Sequence, residues 1–167
     1  MKEIALHILD IAENSITAGA SRVELSIELK EADRELRLEI SDNGKGMSEE
    51  MLNRTADPFF TSRTTRKVGL GIPLLRQQAE MTGGWVELHS ELNRGTQVTA
   101  SFDAGHPDIQ PLGDIAGCWW LLASGNPKTD IVLKCTTEHG NFVMGSAQVR
   151  EELEIERLAG NELKEQL

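Results

Sequence analysis

The spacing of apolar residues changes along this chain, and each change marks an element. Ile4, Leu6, Ile8, Leu9, Ile11, Ala12 and Ile16 recur at helical spacing, and the small residues Ala18-Gly19-Ala20-Ser21 follow, which predicts a first helix over about residues 2–17. From Val23 the period shortens to two. Val23, Leu25, Ile27 and Leu29 alternate with polar residues, as do Leu36, Leu38 and Ile40 beyond the acidic turn KEADRE; the pattern predicts two adjacent antiparallel strands, each half-buried. Ser48 ahead of Glu49 and Glu50 has the chemistry of a capped short helix, because a serine cap and early acids suit its positive end. The stretch GLGIPLLRQQAEMTGG predicts a helix ended by Gly83-Gly84, with Pro73 tolerated in its first turn. Trp85, Glu87 and His89 then alternate with Val86, Leu88 and Ser90, and Thr96, Val98, Ala100 and Phe102 repeat after the turn ELNRG. The expected order is α, β, β, short α, a polar connection over 57–68, α, β, β.

Breakers cluster at Asp103-Ala-Gly-His-Pro-Asp, which sets an expected boundary between a first domain, 1–102, and an extension, 103–167. In the extension, IAGCWWLLA predicts a buried helix with at least one of Trp119 and Trp120 packed inward. TDIVLKCTT and NFVMGSA predict a hairpin around Glu138-His139-Gly140, and AQVREELEIERLAG predicts a charged amphipathic helix. That last helix suits three uses: covering the sheet, pairing with a second copy as a homodimer, or docking on a partner.

Composition narrows the function. With 39% apolar residues in 167, the chain can bury a core, while a net charge of −10 without a cluster of Lys and Arg argues against nucleic acid. Glu3, Asp10 and Glu13 interrupt the first apolar stretch, so no signal peptide is expected there, and no apolar run reaches membrane-spanning length. A cytoplasmic protein with no membrane partner is expected. Cys118 and Cys135 are too far apart for a redox motif and too few for a disulfide framework or zinc site, so both are expected to be buried thiols.

Four segments carry candidate chemistry. DNGKGM, residues 42–47, contains the Asn-Gly pair of a tight hairpin, yet no alternating segment follows it, so its glycines fall between a strand and a helix. There Asp42 can accept hydrogen bonds from an amino group, and Gly44 and Gly46 let backbone approach a flat ligand; a plain strand-to-helix turn gives the same letters. Asp10 and Asn14 share one helix face and offer oxygens to a hydrated magnesium ion, or form a solvated face. VGLGIPLL sets glycines before a helix whose free N–H groups suit a phosphate. RGTQVTASF places Thr96 just inside a strand.

In this order and near these spacings, the four segments resemble the nucleotide-binding motifs of the GHKL superfamily, which includes DNA gyrase, heat-shock chaperones, histidine kinases and the MutL mismatch-repair ATPases. DIAENSITAGAS looks like its N box, DNGKGM, VGLGIPLL and RGTQVTASF like its three glycine boxes, and DPFFTSR like the phenylalanine motif before the lid of sensor histidine kinases. The resemblance covers about residues 1–102. It implies an α/β (α+β) two-layer sandwich of the Bergerat type that binds ATP and Mg2+. Asn14 would hold the metal and Asp42 the adenine amino group. Gly44 and Gly46, with Met47 in the same box, would shape the base pocket, and Thr96 would support adenine through water. Gly69 and Gly71, flanking Leu70, would offer N–H groups to the phosphates. Arg63 or Lys67 in the lid would neutralise charge, a solvated loop being the other reading of those cations. Asp10 stands where ATP-hydrolysing members and anti-sigma-factor serine kinases commonly carry Glu, and would act as the catalytic carboxylate or contact a magnesium-bound water.

The implied function is a free-standing magnesium-ATP protein that hydrolyses ATP or passes its γ-phosphoryl group to a partner protein. A non-catalytic ATP sensor and an anti-sigma-factor-like serine kinase are the alternatives. His7, His89, His106 and His139 do not lie in a phosphoacceptor hairpin, so autophosphorylation is not expected, and His7 is expected as a helix-face or core histidine. Nor is a full repair or topoisomerase role, although ENSITAGAS resembles the MutL form of the N box.

Overall fold

In the computed structural model, which describes residues 3–55 and 71–153, the first helix is α1 (Ile4–Thr17). It is followed by β1 (Arg22–Lys30), β2 (Glu35–Asp42), α2 (Glu49–Thr55), α3 (Gly71–Met81), β3 (Trp85–Glu91) and β4 (Gly95–Asp103). The chain continues through α4 (Ile115–Gly125), β5 (Asp130–Thr137), β6 (Gly140–Gly145) and α5 (Ser146–Glu152). The polar connection and the end of the charged helix lie outside the described residues.

All six strands form one sheet in the order β3-β4-β2-β1-β5-β6. β1 and β2 pair antiparallel in the register that sets Leu25 opposite Ile40 and Ile27 opposite Leu38, so their alternating apolar residues share one face. On that face α1 lies between α3 and α4, and Ile4, Ile8, Leu25, Leu38, Leu75, Phe102, Trp119 and Ile131 belong to one buried cluster. β1 turns its charged residues to the opposite face, where Lys134 pairs with Glu24 at 2.6 Å and Arg22 with Asp130 at 2.9 Å. The result is the expected two-layer α/β sandwich.

Residues beyond β4 join the same sheet and core. β5 pairs parallel with β1, setting Val23 beside Ile131 and Leu25 beside Leu133, and β6 pairs antiparallel with β5. The segment between β4 and α4 crosses the start of α1, where no side chain caps the helix. Instead the carbonyls of Pro111 and Leu112 accept from Ile4 N (3.0 Å) and Ala5 N (2.8 Å), satisfying two N–H groups that a helix start leaves open. Trp119 is 1% exposed and donates its indole N–H to Ile131 O at 2.9 Å. Arg150 donates to Ala123 O and Asn126 O at the end of α4, where a cation suits the negative helix end. Cys118 is buried, but Cys135 is only half-buried, a correction to the expected pair of buried thiols. Cys135 follows Ile131 and Leu133 along β5, opposite Phe142 of the edge strand β6, and packs at the margin of the core.

His7 is a core histidine at 2% exposure: its Nε2 donates to Gln110 Oε1 at 3.0 Å, and its buried Nδ1 has no partner among the described residues. Burial pushes its pKa below the ordinary 6.5, outweighing the Gln110 contact. The unfolded chain therefore takes up a proton that the folded chain refuses. His7 contributes full stability above that ordinary value and loses it as pH falls toward the folded value. The urea midpoint is expected to drop between about pH 7 and about pH 5, with a shallower drop in His7→Asn; parallel slopes in the two proteins would rule His7 out as the cause.

Candidate functional site

The described candidate residues meet along one rim of the sandwich. α1 brings Asp10, Asn14 and Ser15; β2 ends at Asp42; β4 begins beside Thr96, which lies opposite Asp42 in the ladder. α3 starts at Gly71, packed against the Asp10 carboxylate so closely that a Cβ there would run into Oδ2. Arg63, Lys67, Gly69 and Leu70 lie outside the described residues.

Asp42 is held at both oxygens. Ser15 Oγ donates to Oδ2 at 2.6 Å, and the Gly44 N–H donates to Oδ1 at 2.8 Å. The period of two that buries Leu38 and Ile40 turns Asp42 to the same face, toward α1. Asn43 forms no hairpin. Its Oδ1 accepts from Ser21 N (2.9 Å) and Arg22 N (3.0 Å), and its amide donates to Ser21 Oγ (2.8 Å), tying the end of β2 to the start of β1.

The loop after Asp42 interlocks with the β3–β4 turn. Met47 N donates to Ser90 Oγ at 2.8 Å, Asn93 N to Lys45 O at 2.6 Å, and Lys45 N to Ala18 O at 3.0 Å. Ser90 Oγ also lies 2.8 Å from Thr96 Oγ1. Gly46 has φ +65°, and a Cβ on it would collide with Glu91 O; Gly95 has φ +119°, and a Cβ on it would collide with Asp42 O. The close approach at Gly46 is thus made by the protein's own turn, and Gly44 lies against Ala18 O and the Asp42 carboxylate. A wide-open depression of about 490 Å³ lies at this end of the rim, lined by Asp42, Ser90 and Thr96 together with Ser41, His89 and Gln97 of the other sheet face; Asp10 and Asn14 do not line it.

At the other end of the rim Asp10 is half-buried, and its Oδ2 has no partner among the described residues. Burial raises its pKa, and the negative charge of Glu13 adds to the rise. Asn14 lies one turn further along α1. Two oxygen-bearing side chains with one orphaned oxygen fit a hard cation such as Mg2+. Among the described residues no group of three or more His, Cys, Asp or Glu forms a cage, so such an ion would take its other ligands from phosphates and water.

Ser15 and Ser90 escaped the sequence reading. The signal was there for Ser15, a polar residue in step with Ile8, Ile11 and Ala12 on the buried face of α1. Ser90 likewise continues the inward series Val86, Leu88.

The sandwich thus sets one carboxylate, clamped beside a glycine-bearing loop, and a second, packed against the start of a helix, on the same rim. The model of the family described as histidine kinase-, DNA gyrase B- and HSP90-like ATPase matches residues 2–106, and the chain belongs to that family. Sporulation kinase D of Bacillus subtilis is 36% identical over 92 residues, covering 55% of this chain and 18% of the kinase. Sensor protein DivL of Caulobacter vibrioides is 34% identical over 100 residues, covering 59% of this chain and 13% of that protein. The chain thus spans less than a fifth of these relatives. Among solved structures, the Aquifex aeolicus MutL ATPase domain complexed with ADP superposes with a TM-score of 0.56 at 15% identity, covering 93% of this chain and 70% of that one. The N-terminal domain of a DNA repair protein gives 0.55 at 17% identity, covering 86% and 52%. At these identities the likeness is one of fold.

Proposed function

We propose that this chain binds magnesium-ATP and either hydrolyses it or transfers its γ-phosphoryl group to a partner protein. The carrying observation is the pair of carboxylates at opposite ends of one rim. Asp42, with both oxygens accepting protein hydrogen bonds, suits the adenine amino group, while Asp10 presents an orphaned oxygen beside the start of α3, where phosphates would find free N–H groups. Thr96 would support the base, and Asn14 would hold the magnesium ion, which when bound would neutralise phosphate charge. The ADP of the MutL neighbour supports the nucleotide reading. A carboxylate whose pKa is raised by burial is a better proton acceptor, which suits Asp10 to the attacking water or hydroxyl.

The test follows γ-labelled ATP mixed with the protein and magnesium. Asp10→Asn is expected to lower label release or transfer by about 10²–10⁴-fold while ATP binding survives, and Asn14→Ala to weaken the magnesium-dependent part of binding. Label retained on ATP that is demonstrably bound would favour a nucleotide sensor instead.

A further inference from the structure

We propose that Ser15 is a positioning residue for base selection: it fixes the Asp42 carboxylate as an acceptor pointing at an amino group, and so sets the preference for a 6-amino over a 6-oxo purine. The inference rests on the ATP reading above and deepens it.

Ser15 is 5% exposed, directly follows Asn14, and reaches across from α1 to the end of β2. Its hydroxyl has one proton and two acceptors in range, Asp42 Oδ2 at 2.6 Å and Ile11 O at 3.4 Å. The shorter, charge-assisted contact takes it. Gly44 N holds the other carboxylate oxygen at 2.8 Å, so the carboxylate cannot turn without breaking both bonds. Each oxygen keeps a lone pair, and an ionised carboxylate has no proton to give. A group fixed in this way accepts from an exocyclic N–H and repels a carbonyl oxygen in the same place. Thr96, opposite Asp42 in the ladder, is engaged instead with Ser90 Oγ at 2.8 Å. Without Ser15 Oγ, the carboxylate is tethered at one oxygen only and can swing away from the base.

The experiment measures dissociation constants for ATP and inosine triphosphate, which differ at the purine 6-position, in the wild type, Ser15→Ala and Ser15→Cys. The cysteine variant keeps the side-chain shape with a somewhat larger atom and a poor donor, and guards against an alanine variant that fails to fold. Both are expected to weaken ATP binding about tenfold and leave inosine triphosphate nearly unchanged, so that the selectivity ratio falls by about the same factor. A merely structural role would weaken both nucleotides together and leave their ratio unchanged; a lower melting temperature is expected in either case. An unchanged ratio in the folded variants, with a selective wild type, overturns the role of Ser15 and leaves the ATP reading standing. A wild type that binds neither nucleotide overturns both.

Discussion

A chain ended at His106, where the family match stops, is expected to come out unfolded or aggregated and without nucleotide binding. Three separate losses combine in it. Trp119, Leu122, Ile131 and Leu133 leave the single core they share with Ile4 and Ile8; β1 loses its parallel partner from Arg22 to Glu28; and the carbonyls of Pro111 and Leu112 no longer cap α1. Removing the Trp119 side chain alone should cost about 3–5 kcal/mol, a large share of the roughly 5–15 kcal/mol that holds an ordinary domain together. Trp119→Ala is therefore the graded form of the truncation, and should retain a cooperative but lower melt. Size-exclusion chromatography and circular dichroism decide the matter. A monodisperse 1–106 fragment with a cooperative melt would show that the extension is energetically separate.

Gly95→Ala is expected to destabilise the protein by about 2–4 kcal/mol, combining the cost of a side chain in a left-handed conformation with that of overpacking against fixed backbone. The obstruction is Asp42 O, part of the sheet ladder, which cannot swing aside as a flexible side chain would. Relief requires β2 and β4 to part at the rim, so the variant should also lose nucleotide affinity out of proportion to its melting point. Gly19→Ala is the control. Its φ is +80° with nothing within 4 Å of the added carbon, so only the conformational cost remains, about 1–2 kcal/mol. Urea denaturation of both variants tests the contrast, and equal losses would show that the contact with Asp42 O adds nothing.

Much of this was legible because local pattern fixed it. The change from helical to alternating spacing at Val23 located α1 and β1, and the absence of alternation after Asn43-Gly44 separated a strand-to-helix loop from a hairpin. The inward parity of Leu38 and Ile40 carried Asp42 to the helix face. What local pattern does not encode is partnership between distant segments. Nothing in TDIVLKCTT says that it pairs parallel with β1, and nothing in the breaker-rich stretch after Asp103 says that its carbonyls cap α1. Gly46 shows a different limit. Its identity marks a close approach, but only the fold reveals that the neighbour pressing on it is Glu91 O.

The parallel ladder between β1 and β5 also bears on how the molecule is made. Its first pair joins Arg22 to Asp130, which are 130 − 22 = 108 positions apart. At a synthesis rate of about 5–20 residues per second, one flank of β1 waits on the order of 5–20 s for its mate to be translated. During that interval the nascent sheet has a bare side along β1. Nascent chains would be vulnerable to mispairing at β1 in that window, and holding chaperones or slower expression at low temperature should raise the soluble yield without altering the finished protein's stability.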